Sequence, residues 1–210
     1  IYFKRLILER IILSYFIFDP FNVIYKYHNY GSNLGKFFNR NNVSTSTFEN
    51  YNNQYKFRSF IFGSSRTCAF LTQDYGRYIN DPHPFHFDAF NENIDGIIKK
   101  IDFINSKGNR VDNALILFDN DTFNYQKDKE RSLIHIQDYR WSGQSKLSYQ
   151  LEFFKSYFKD NYFITFLDLK MFNKYRSYMP NLFEYVYYYE SPTNNFLFPI
   201  NDKAIMEDSV

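Results

Sequence analysis

From residue 55 onward, the hydrophobic and polar positions follow two different periods. Residues 57–62 (FRSFIF) and 114–118 (ALILF) are short, largely apolar runs bounded by turn-forming residues, and such runs predict strands. Ile94, Ile97, Ile98, Ile101 and Ile104 instead recur at helical spacing, with Lys99, Lys100, Asp102 and Asn105 opposite them. Lys107-Gly108 closes that helix in the manner of a C-cap. The residues after Ser65 predict a helix reaching Ile79, and 85–90 a short second strand. Leu147, Leu151, Phe154 and Phe158 predict a further helix, and 162–167 a fourth strand. Strands alternating with helices predict an α/β fold: a three-layer α/β/α sandwich, flavodoxin-like, with a mainly parallel sheet. The unbroken apolar character of ALILF predicts a strand covered on both faces. Right-handed crossovers then place the loops that follow the strands along one edge, where such folds carry their sites.

Two segments precede this body. Residues 6–18 (LILERIILSYFIF) are almost wholly apolar but include Glu9 and Arg10, and they fall short of the roughly 20 apolar residues a membrane span needs. They read either as a helix packed on the domain or as the remnant of a signal anchor that ends at Asp19-Pro20. Because the chain starts with Ile1, further sequence is expected upstream. Residues 28–54 are rich in Asn, Ser and Thr without apolar periodicity, which predicts a linker. The expected organisation is thus a hydrophobic helix over 1–27, a linker over 28–54, and a folded domain over 55–210.

Composition narrows the chemistry. In a chain of 210 residues with net charge +2, Lys and Arg are scattered among Asp and Glu, so no nucleic-acid partner is indicated. A single Cys excludes an internal disulfide framework and a Cys-based zinc site. The 26 Phe and 20 Tyr accompany abundant Asn, Ile and Lys, a bias that fits an AT-rich genome better than a chemical requirement. No cofactor and no metal are expected.

The candidate chemistry lies at the strand ends. Gly63-Ser64-Ser65 follows the first strand, where glycine permits a tight turn and the next backbone N–H groups open a helix. Taken alone, a serine there is better explained by capping than by catalysis. The third strand ends in Phe118-Asp119-Asn120-Asp121, on the same predicted edge, and the second in Asp88-Ala89-Phe90-Asn91. With these three blocks the chain resembles the SGNH (GDSL-like) hydrolase family over residues 57–121, and "IFGSSRT" resembles its divergent, membrane-anchored extracytoplasmic branch. The resemblance implies a serine esterase or acyltransferase acting on ester-linked acyl groups of envelope or extracellular polysaccharide. Ser65 would be the nucleophile and Asn120 the side-chain oxyanion donor, with backbone N–H groups of Ser65 and of the Phe90-Asn91 turn completing the oxyanion hole. Arg66, Phe90, Asn91, Asp121 and His135 would border the substrate.

The chain departs from the family pattern in three places. Phe118 stands where the third block has glycine, no glycine occupies the Phe90 turn, and no Asp-x-x-His, the source of the family's base, occurs anywhere. The expectation is that this block lies beyond Val210; the alternative is a non-catalytic binding protein with the same fold. His83 and His86 precede the second strand and are expected on the edge opposite Ser65. His135 follows the third strand on the same side as Ser65, with Asp138 close by. Cys68 is expected to be buried and inert within the first helix. Arg66 equally suits a solvated charge at a helix start, and 183–189 (FEYVYYY) either a packed strand or a sugar-stacking surface.

Overall fold

The computed structural model describes residues 2–30, 38–123, 133–159, 162–172, 174–180 and 188–197. It is a mixed α/β structure around a small parallel sheet of three strands, β1 (Ser59–Phe62), β2 (Phe85–His86) and β3 (Asn113–Ile116), in the order β2-β1-β3. Phe60 pairs with Phe85 on one side and with Ala114 on the other. Every residue of β1 is buried. Phe60 and Phe62 alternate onto one face and stack at 5.7 Å, against Phe85 and Phe87 from the neighbouring strand segment. β2 is shorter than the 85–90 expected, yet alternate N–H groups extend the ladder, Phe87 N donating to Ile61 O and Ala89 N to Gly63 O. β3 is half-exposed, not covered on both faces as ALILF suggested, because it forms an edge of the described sheet.

Three helical expectations shift in detail. The helix expected after Ser65 is divided into a 3-10 turn (Ser65–Ala69) and α3 (Thr72–Ile79). The isoleucine helix is α4 (Ile94–Ser106), but its buried face is Ile97, Lys100, Phe103 and Ile104, while Ile94 and Ile98 are exposed. Lys100, expected on the solvated face, is buried as an ion pair with Glu92, its ammonium against the rings of Phe87 and Trp141. The helix marked by Leu147 and Leu151 is α7 (Lys146–Phe158), and it turns Tyr149, Phe153 and Tyr157 inward instead.

Two expectations are overturned. The strand expected over 162–167 is helix α8 (Tyr162–Phe172). A short apolar run cannot be assigned to strand or helix by periodicity alone; here Tyr162, Phe166 and Leu169 fall at helical spacing and bury against α7. Residues 28–54, read as a linker, contain helix α2 (Arg40–Tyr55). Asn39 caps α2 by accepting from Asn42 N, and Phe48, Tyr51 and Tyr55 pack on the sheet. Its polar residues are buried because they are bonded: Ser44 donates to Asp88 O, Asn42 to Asn22 O, and Trp141 Nε1 to Thr45.

The remaining elements enclose this centre. Helix α1 (Tyr2–Phe18) docks through Tyr15 onto Phe154 and Tyr157, and no helix among the described residues is long and apolar enough to cross a membrane. Asp19, the end of the signal anchor in one of the two readings of this segment, is buried, and its carboxylate accepts from Val23 N, Ile24 N and Tyr25 N. Two short helices, α5 (Asn120–Phe123) and α6 (Tyr139–Ser142), follow β3. A hairpin of β4 (Tyr188–Glu190) and β5 (Asn195–Leu197) covers the outer side of β2, where His86 N donates to Thr193 O. Residues 183–187 of the aromatic run lie outside the described residues; Tyr189 is buried in the hairpin.

Candidate active site

The site is built on the ends of parallel strands. β1 runs into Gly63, whose φ of +143° is a conformation L side chains rarely adopt. A Cβ there would also lie 2.8 Å from the Thr67 methyl and 3.0 Å from Leu117 O, so the turn needs glycine on two grounds. Ser64 then caps the 3-10 turn. It accepts weakly from Arg66 N at 3.4 Å and donates its own proton to Asp119 Oδ2 at 2.5 Å. Asp119 follows β3, the strand beside β1, and also accepts from Arg66 Nη1, Thr122 N and Thr122 Oγ1. Burial works to raise the Asp119 carboxyl, but the hydrogen bonds from Ser64, Thr122 and Arg66 outweigh it and hold the group down at about 2.

This arrangement separates the roles of two adjacent serines. Ser64 is committed to Asp119. Ser65 is half-buried, and its hydroxyl makes no hydrogen bond among the described residues. Asn120 and Asp121 open α5, directly after Asp119, so Ser65 and Asn120 follow the C-terminal ends of adjacent parallel strands; the side chains of Asn120 and Asp121 lie outside the described residues. Arg66, expected to face substrate, is engaged by Asp119. Phe90 lies over the Arg40 guanidinium, its centroid 5.5 Å away. Asn91, at φ +46°, donates to His135 Nε2 at 3.1 Å, which joins two of the expected substrate-bordering residues.

Beneath the turn lies a polar cluster that sequence reasoning missed. Arg40, the first residue of α2, is fully buried and paired with fully buried Asp88. Its guanidinium also donates to Cys68 Sγ and lies over the rings of Tyr189 and Phe196. Thr67 Oγ1 lies 2.7 Å from Ser64 O, 3.1 Å from Asp88 Oδ2 and 2.9 Å from His86 Nε2. With one hydroxyl proton, Thr67 satisfies its closest acceptor, Ser64 O, while the Nε2–H of a neutral His86 donates to Thr67. Burial keeps His86 neutral, moving it down to about 4 despite the partial opposition of Asp88. His86 is therefore not on the opposite edge, as expected, but ends β2 below the turn that carries Ser65. Cys68 is half-buried, its thiol pushed up by burial to about 11, with Arg40 acting against the rise.

The only sequence signal for Arg40 was the helical spacing of Phe48, Tyr51 and Tyr55 behind an Asn cap. Among the described residues no His, Cys, Asp or Glu cluster could hold a metal ion. Chemically, the arrangement offers a serine hydroxyl on a rigid, glycine-dependent turn. None of the described histidines is hydrogen-bonded to it, since His86 is engaged by Thr67 and His135 by Asn91. No known family model matches the chain, and neither a curated protein nor a solved structure is significantly similar to it.

Proposed function

We propose that the chain is a serine-dependent acyl-transfer protein of SGNH type, an esterase or acyltransferase for acyl groups on envelope or extracellular polysaccharide. The observation that carries this reading is the division of labour between Ser64 and Ser65. One serine is locked to Asp119, and its neighbour is left available at the end of the central strand. In this reading the three strands are the middle layer of an α/β/α sandwich, and α1 tethers the protein on the outer side of a membrane. Ser65 Oγ attacks the ester carbonyl, the alcohol leaves, and the acyl-enzyme passes its acyl group to water or to a second hydroxyl. Asn120 and backbone N–H groups stabilise the oxyanion. The serine proton needs a base, which the family supplies from an Asp-x-x-His block that residues 1–210 do not contain.

Reaction with a fluorophosphonate probe and turnover of acetyl esters, each compared with Ser65→Ala, test the assignment. Ser65-dependent labelling and turnover in a chain extended through its downstream coding sequence support it. An extended chain inert toward a range of acyl esters favours the second reading, a non-catalytic binding protein. That reading is supported by the engagement of both His86 and His135 away from Ser65.

A further inference from the structure

A cleft of about 200 Å³ lies between α2, α6, the start of α7 and the segment after α1. None of its lining residues belongs to the turns around Ser65. Arg140, one of its lining residues, has spent its guanidinium internally: Nη1 donates to Glu49, Nε and Nη2 to Asp138, and Nη2 also to Ser46. Glu49 accepts in addition from Lys107, so two carboxylates balance two cations. Lys26 and Lys146, which also line the cleft, form no ion pair among the described residues. The cleft thus carries an excess of two positive charges, as large as the formal net charge of the whole chain.

Lys146 sharpens the case. It is the first residue of α7, capped by Ser145, and the first turn has no acidic residue. A cation there works against the helix dipole, and ammonium and dipole together favour an anion at the same spot. The aromatic wall is Tyr139, whose ring centroid lies 5.8 Å from the Arg140 guanidinium carbon and 6.0 Å from Lys146 Nζ. Tyr25 also lines the cleft, its hydroxyl fixed by donation to Phe16 O. Asn42 and Ser46 add amide and hydroxyl groups.

We propose that this cleft binds an acidic monosaccharide unit, with its carboxylate held by Lys26 and Lys146 and its ring face on Tyr139. A cleft of this size takes one sugar ring, and its features match that ligand's charge, hydroxyls and C–H face. The inference stands whether or not Ser65 is a nucleophile.

Calorimetry and NMR amide shifts with glucuronate, glucose and inorganic phosphate test it on the intact chain. Saturable glucuronate binding is expected, with glucose about tenfold weaker or worse, and a comparable loss for Lys26→Ala/Lys146→Ala. Both lysines are exposed, so that variant should fold normally, and Lys26→Arg/Lys146→Arg should retain binding. Three outcomes overturn the proposal: no saturable glucuronate binding, glucose binding as tightly as glucuronate, or phosphate binding as tightly as glucuronate with Tyr139→Leu neutral.

Discussion

Ser64 donates its hydroxyl proton to the Asp119 carboxylate at 2.5 Å, so one charge-assisted hydrogen bond ties the turn after β1 to the turn after β3. Asp119→Asn keeps the shape but loses the charge that gathers Ser64, Arg66 and Thr122. A loss of about 1–3 kcal/mol in unfolding free energy is expected, read by urea denaturation. The carboxyl is depressed from its ordinary 3.8 to about 2, so its contribution is complete above 3.8 and disappears as pH falls through 2. The variant's deficit should therefore shrink between those values; a deficit unchanged down to pH 2 would refute the role given to the charge.

His86 gives a pH dependence in a different window. Its folded value, about 4, lies below the ordinary 6.5, so the unfolded chain binds more protons between them. Stability should be flat above 6.5 and fall by roughly 3 kcal/mol in total as pH drops to 4. His86→Gln should remove most of that slope, whatever its own cost at neutral pH. An imidazole that titrates near 6.5 by NMR would contradict the buried neutral form.

The ion pair of Lys100 and Glu92 should be costly to break singly. Lys100→Met leaves a carboxylate buried opposite nothing, with an expected cost of about 3–5 kcal/mol. Lys100→Met combined with Glu92→Gln should recover much of that loss in the same denaturation experiment. Gly96→Ala should also destabilise, because its Cβ would sit 2.0 Å from Glu92 Oε1 and the carboxylate paired with Lys100 would have to shift.

For the chemistry at Ser65, the 210 residues alone are expected to hydrolyse an activated acetyl ester barely above background, with Ser65→Ala nearly silent. Loss of triad members from a serine enzyme typically costs on the order of 10⁴-fold. A chain extended downstream should gain turnover that Ser65→Ala abolishes and Asn120→Ala lowers by about 10²- to 10³-fold. Strong Ser65-dependent turnover by the short chain would point to His135 as the base.

Periodicity made part of this fold legible. α4 could be read because its apolar residues recur at helical spacing, and β1 and β3 because each is a short apolar run bounded by turn-forming residues. The helical stripe was nevertheless misaligned, since a lysine was assumed to be solvated and Lys100 is neutralised internally by Glu92. Helix α2 escaped notice because its burial rests on hydrogen bonds to partners far along the chain, such as Asp88 O and Ile136 O, that one sequence does not disclose. At the site, Gly63 and the two serines announced a turn. Nothing in the sequence indicated that Arg40 and Asp88 would meet beneath it.

The enclosure of Arg40 sets an order of assembly. Its guanidinium is shut in by Asp88 from the β2 turn, Cys68 from the 3-10 turn, and the rings of Tyr189 and Phe196 from the hairpin near the other end of the described chain. A charge cannot leave water before its enclosure exists, so the ground under Ser65 is finished only when the hairpin has been made. A growing chain therefore holds the turn that carries Ser65 on an unfinished support until residues 188–197 have been made. Chains ending at residue 187 should be cut by protease around Ser65, and chains that include the hairpin should resist.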